Sequence, residues 1–81
     1  MPLPASERIA ADLMRRIESG EYPPGTRLPS VPRLVEQYRD LGIRSEMPVR
    51  QALTILRARG IIELGVGRGN FVAHPGEPDH R

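Results

Sequence analysis

Ser45-Glu46-Met47-Pro48-Val49-Arg50-Gln51-Ala52-Leu53-Thr54-Ile55-Leu56-Arg57-Ala58-Arg59-Gly60 runs directly into Ile61-Ile62-Glu63-Leu64-Gly65-Val66-Gly67-Arg68-Gly69-Asn70-Phe71-Val72-Ala73. In the first part Val49, Ala52, Leu53 and Leu56 recur at i, i+3, i+4 and i+7, which makes one apolar stripe on a helix. Ser45 suits an N-cap. Glu46 and Pro48 suit a first turn, where negative charge is favoured and a missing N–H costs little. Gly60 supplies a C-terminal stop, so the spacing predicts a helix over 45–59. Arg50, Gln51, Thr54 and Arg57 fall on its other side. The second part reads as strand, glycine-rich turn and strand, a hairpin with Arg68 at its tip.

Upstream, residues 1–5 read as a flexible arm. Ala5 or Ser6 opens a first helix whose Ile9, Leu13 and Ile17 share one face, and Gly20 ends it. Glu21-Tyr22-Pro23-Pro24-Gly25 is a turn cluster, followed by a short strand at Thr26-Arg27-Leu28. Ser30 reads as the N-cap of a second helix that tolerates Pro32 in its first turn. Val31, Leu34, Val35, Tyr38 and Leu41 keep helical spacing up to Gly42. The order helix, short strand, helix, helix, hairpin is a winged helix-turn-helix. The expected fold class is mainly α with a small β-hairpin (α+β): three helices plus a two- to three-stranded wing over 6–74. Residues 75–81, polar and proline-broken, read as a disordered tail.

The chain has 81 residues, enough for one small core and little for a substrate cavity. It has no cysteine, which removes disulfides and thiolate metal sites. No apolar run reaches membrane-spanning length, and a soluble, cytoplasmic protein is expected. From Arg27 to Arg68 eight arginines face four acids, a balance of +4, whereas the flanking segments are each −1. All twelve basic residues are arginine, which suits bidentate contacts with guanine and phosphate.

A basic helix face beside a basic hairpin suits a nucleic-acid groove. Arg50, Gln51 and Thr54 would otherwise be an ordinary solvated face. Their place near the start of the second helix of a helix-turn-helix, where base contacts arise, favours the binding reading. Met47 is a helix-start residue that can also touch a thymine methyl, and Glu46 can accept from cytosine N4. Arg44 can cap, pair with Glu46, or stand in as a DNA-contacting arginine. Arg57 and Arg59 read as solvated or phosphate-adjacent. The Gly65–Gly69 loop is followed by a strand, which argues against a nucleotide-phosphate cradle. His74 and His80 have no third ligand at metal spacing, and no catalytic constellation is visible, so neither cofactor nor enzyme activity is expected. The competing class is a winged helix used for protein interaction.

Three motifs in order resemble the GntR family of bacterial transcription regulators. Gly20-Glu21-Tyr22-Pro23-Pro24-Gly25-Thr26-Arg27-Leu28-Pro29-Ser30 is similar to its opening, Ser45 to Leu53 to its recognition-helix signature, and Gly67-Arg68-Gly69-Asn70-Phe71-Val72 to its wing. The resemblance implies operator binding as a homodimer on double-stranded DNA, with effector control from a separate domain and no effector site here. Carried residue by residue, it puts Arg50 and Gly67 among the DNA-contacting positions, and Ser30, Arg33, Arg44, Ser45, Arg68 and Gly69 are further candidate DNA contacts beside them. Two positions depart from the family pattern: Pro32 stands where an arginine is usual in the second helix, and Glu46 where one is usual after Ser45. The connection before the third helix is longer than the family's, which predicts a second helix extended by one turn.

Overall fold

A computed structural model describes residues 3–65, 67 and 69–74. The first two residues of the expected arm, the wing residues Val66 and Arg68, and the expected tail at 75–81 lie outside the described residues. The remainder folds as helix α1 (Ala5–Glu18), helix α2 (Val31–Gln37), a 3₁₀ turn (Arg39–Leu41), helix α3 (Met47–Ala58), and strands β1 (Ile62–Leu64) and β2 (Asn70–Val72). This is the winged helix-turn-helix that the hydrophobic spacing predicts.

Each helix buries the stripe its sequence supplies. Ile9, Ala10 and Leu13 of α1 meet Val49, Ala52, Leu53 and Leu56 of α3, and Leu28, Leu34, Tyr38, Ile43, Ile62 and Val72 complete the core. Apart from the Tyr38 hydroxyl, the buried side chains among the described residues are apolar. Pro4 begins α1 with its carbonyl accepting from the Glu7 and Arg8 amides. Of the two expected starts, Ala5 and Ser6, the helix opens at Ala5, which shortens the arm to residues before it. Gly60 closes α3 at φ 74°, a left-handed conformation that lets the Ile61 amide reach back to the Leu56 carbonyl.

The second helix differs from expectation. It ends at Gln37, and the extra turn is a tighter 3₁₀ segment. Tyr38 leaves helical geometry at φ −100°, ψ 16°, and Leu41, predicted to continue the buried stripe, is 41% exposed. Gly42 at φ 86° then reverses the chain, and the Ile43 amide bonds the Tyr38 carbonyl. The apolar spacing of Leu41 therefore does not place it in the core.

β1 and β2 pair antiparallel with Ile62 opposite Val72, Glu63 opposite Phe71 and Leu64 opposite Asn70. The expected third strand is reduced to a single bridge, Arg27 with Phe71, on the free edge of β2. Its hydrogen bonds run through Gly25, Thr26 and Leu28, between Pro24 and Pro29, which have no N–H to extend the ladder.

A polar joint fastens the helix-turn-helix to α1. The Tyr38 hydroxyl donates to Asp12 Oδ2 at 2.7 Å, Arg16 donates to the same oxygen at 2.8 Å, and Arg15 donates to Oδ1. Arg16 also reaches Glu21 Oε2 at 2.7 Å. Partial burial pushes the Asp12 carboxyl upward, but the bonds from Tyr38, Arg16 and Arg15 together hold it below the usual carboxylate range. Burial and the bond to Asp12 raise the Tyr38 phenol well above its ordinary value, and the same carboxylate raises Arg16.

Candidate nucleic-acid interface

α3 presents a mixed polar and apolar surface on its unburied side. Met47, Arg50, Gln51 and Thr54, with Ile55 and Ser6, line one shallow groove of about 520 Å³. Met47 is 61% exposed. The start of this helix corrects one expectation. Ser45 does not cap it: the helix opens at Met47, Glu46 is the N-cap residue in right-handed helical geometry, and no side chain bonds the first turn. Glu46 already has helical dihedral angles, and three residues beyond Ser45, where a cap's oxygen would meet an amide, stands Pro48, which has no N–H. Pro48 occupies the second helical position, where no intrahelical partner is lost.

Hydrogen bonds sort the polar groups of α3. Arg50 Nη2 donates to Glu46 Oε1 at 2.8 Å. The Thr54 hydroxyl donates to the Arg50 carbonyl at 3.0 Å and so is tied to its own helix. Arg57 Nη1 donates to Asn70 Oδ1 at 3.0 Å, and its Nη2 to Thr54 Oγ1 at 3.4 Å. Arg57 is thus part of a joint between α3 and the wing strand, a role that sequence spacing did not reveal. Arg44 is exposed, and the carboxylate of Glu46 goes to Arg50 instead of to it.

Ser30 and Arg33 lie on a second surface, apart from the α3 groove. Ser30 caps α2 as expected, its hydroxyl accepting from the Arg33 amide at 3.4 Å. Both residues line a groove of about 510 Å³ with Arg27, Thr26, Tyr22 and Gln37. Arg27 was not among the candidates. Its register opposite Phe71 brings it to the wing, and only the pairing of residue 27 with residue 71 could have signalled that.

The wing turn closes through the Gly65 amide on the Gly69 carbonyl at 2.8 Å. Gly67 is exposed at its bend, whereas Gly69 is buried. A Cβ at Gly69 would lie 2.5 Å from Arg27 Nε, and one at Gly65 would overlap the Phe71 ring. These two glycines let the hairpin lie flat under Arg27 and Phe71. The expected tip residue, Arg68, lies outside the described residues. His74 packs at Gly25, where an added Cβ would sit 3.2 Å from Nε2.

The family model for bacterial regulatory proteins of the gntR family matches residues 5–72, nearly all of this architecture. The chain belongs to the GntR family. Members of this family are DNA-binding transcription regulators and not enzymes. The chain is 40% identical over 74 residues to the HTH-type transcriptional repressor NagR of Bacillus subtilis (strain 168), covering 91% of this chain and 29% of that protein. It is 43% identical over 70 residues to the Glc operon transcriptional activator of Escherichia coli (strain K12), covering 86% of this chain and 26% of that protein. The chain therefore spans less than a third of the curated relatives it matches. Among solved structures it resembles the AraR DNA-binding domain in complex with operator ORR3 at a TM-score of 0.78 and 25% identity, covering 90% of this chain and 83% of that one. Among the described residues, no helix is long and apolar enough to cross a membrane.

Proposed function

We propose that this GntR-family domain is a sequence-specific DNA-binding module of a cytoplasmic transcription regulator, a repressor that occupies a palindromic operator. In this reading α3 enters the major groove, with Glu46, Met47, Arg50 and Gln51 facing base edges. The wing around Gly67 and Arg68 lies on the adjacent minor groove or backbone, and Arg33, Arg44 and Arg27 meet phosphates. Two copies pair on DNA, each on one half-site, and effector control would come from outside this chain.

The observation that carries the reading is the division of α3. Val49, Ala52, Leu53 and Leu56 are fully committed to the core, while Met47, Arg50 and Gln51 stand exposed together on one open groove. A helix held this way has a rigid, chemically varied face at the width of a major groove. The operator complex of the structurally similar AraR domain and the similarity to the repressor NagR support the same reading.

Binding to duplex DNA as a function of salt tests it. A groove binder that displaces counterions loses affinity linearly on a log–log plot as salt rises. Binding that is absent, or indifferent to salt, would favour the protein-interaction class instead.

A further inference from the structure

Among the described residues, the exposed face of α3 carries one ion pair, Glu46 with Arg50. Glu46 and Arg50 are one helical turn apart, in the order, acid before base, that favours their contact. They meet at 2.8 Å with side chains 44% and 60% exposed. An acid at a helix start usually serves the first-turn amides, but Glu46 makes no such bond. Its Oε1 takes Arg50, and its Oε2 has no partner among the described residues. An exposed pair of this kind adds little to stability, so fold alone does not account for it.

We propose that Glu46 and Arg50 act as a unit that reads a single G·C base pair, Arg50 on the guanine and Glu46 on the cytosine. The proposal rests on α3 being the recognition helix. In the major groove a G·C pair shows two acceptors, guanine N7 and O6, beside one donor, cytosine N4–H. A guanidinium held against a carboxylate offers the complement, donors beside an acceptor, from side chains already fixed relative to each other. The same carboxylate discriminates against alternatives. Opposite an A·T or a C·G pair it would face thymine O4 or guanine O6, acceptor against acceptor. A T·A pair, which offers Glu46 the adenine N6 donor, is disfavoured through Arg50, which finds only thymine O4 in place of the N7 and O6 pair. Glu46 trades general DNA affinity for selectivity. Thr54 does not compete for this role, because its hydroxyl is spent on the Arg50 carbonyl and the Arg57 guanidinium.

The test begins with duplexes selected by the wild-type protein from a random pool. If no sequence is enriched, the recognition reading falls and the proposal with it. With a selected site in hand, each G·C pair is replaced in turn by two modified forms. N4-methylcytosine blocks the major-groove donor, and 7-deazaguanine removes the N7 acceptor. One position per half-site should lose about tenfold in wild-type affinity with either modification. At that position Glu46→Ala should become indifferent to N4-methylcytosine, stay sensitive to 7-deazaguanine, and bind random duplex more tightly. Arg50→Ala should be indifferent to 7-deazaguanine. Circular dichroism checks that both variants fold. The proposal is overturned if Glu46→Ala keeps the wild-type penalty for N4-methylcytosine, or if it binds every duplex more tightly with an unchanged base profile.

Discussion

Tyr38→Phe removes a single oxygen from the joint that fastens the helix-turn-helix to α1. The lost bond, at 2.7 Å to Asp12 Oδ2, has a charged acceptor, for which about 1.5–3 kcal/mol is typical. Asp12 keeps both arginines and is 19% exposed, so water can partly replace the phenol, and the low end, about 1.5 kcal/mol, is expected. For a domain of this size roughly 4–8 °C of melting temperature accompanies each kcal/mol, which gives a fall of about 6–12 °C at pH 7. The effect should depend on pH. Asp12 is held below its unfolded value of about 3.9, so its contribution is present above that pH and fades as pH falls through the folded value. Phenylalanine at 38 moves the folded value back up, and the gap between wild type and variant should narrow below about pH 4. Thermal unfolding followed by circular dichroism from pH 7 to pH 2 measures this. Melting temperatures within about 2 °C at pH 7, or a gap that stays constant through the acid range, would refute the reasoning.

Gly65→Ala should cost about 1–3 kcal/mol, since the new Cβ would overlap the Phe71 ring and force the two strands of the wing apart; chemical denaturation checks the loss. Arg57→Ala breaks the bond to Asn70 and should lower stability by about 1 kcal/mol while weakening duplex binding evenly across sequences. A base-specific change from Arg57→Ala would instead make it a reader of DNA. Arg68→Ala should reduce the slope of log affinity against log salt by about one, as for a phosphate contact. An unchanged slope would remove Arg68 from the interface.

The fold was legible wherever a repeating pattern specified it. Val49, Ala52, Leu53 and Leu56 state one helical face without ambiguity, and two apolar runs around a glycine-rich turn state a hairpin. Local chemistry was harder to read. Ser45 looked like a cap, yet helical dihedral angles are already present at Glu46 and no side-chain cap closes the helix there, because the residue type at a terminus does not fix the local geometry. Leu41 kept helical spacing through a segment that turns 3₁₀, and periodicity cannot register that change. The Asp12–Tyr38 bond spans 26 residues, and no local signal couples them. Within the candidate site, Arg50 and Gln51 stand where the spacing put them. Arg57 and Arg27 were misread or missed because their roles depend on Asn70 and Gly69, which reach them only through strand register.

Selection of bound duplexes from a random pool, carried out in parallel with wild type and Arg50→Ala, asks whether the open face of α3 reads DNA sequence. Wild type should enrich a two-fold symmetric site with a G·C pair at the same place in each half. Arg50→Ala, folded by circular dichroism, should lose about 1–3 kcal/mol on that site and relax its preference at that pair. If wild type enriches no sequence, or if the two proteins enrich the same sequences equally well, α3 is not the reading element and the account is wrong.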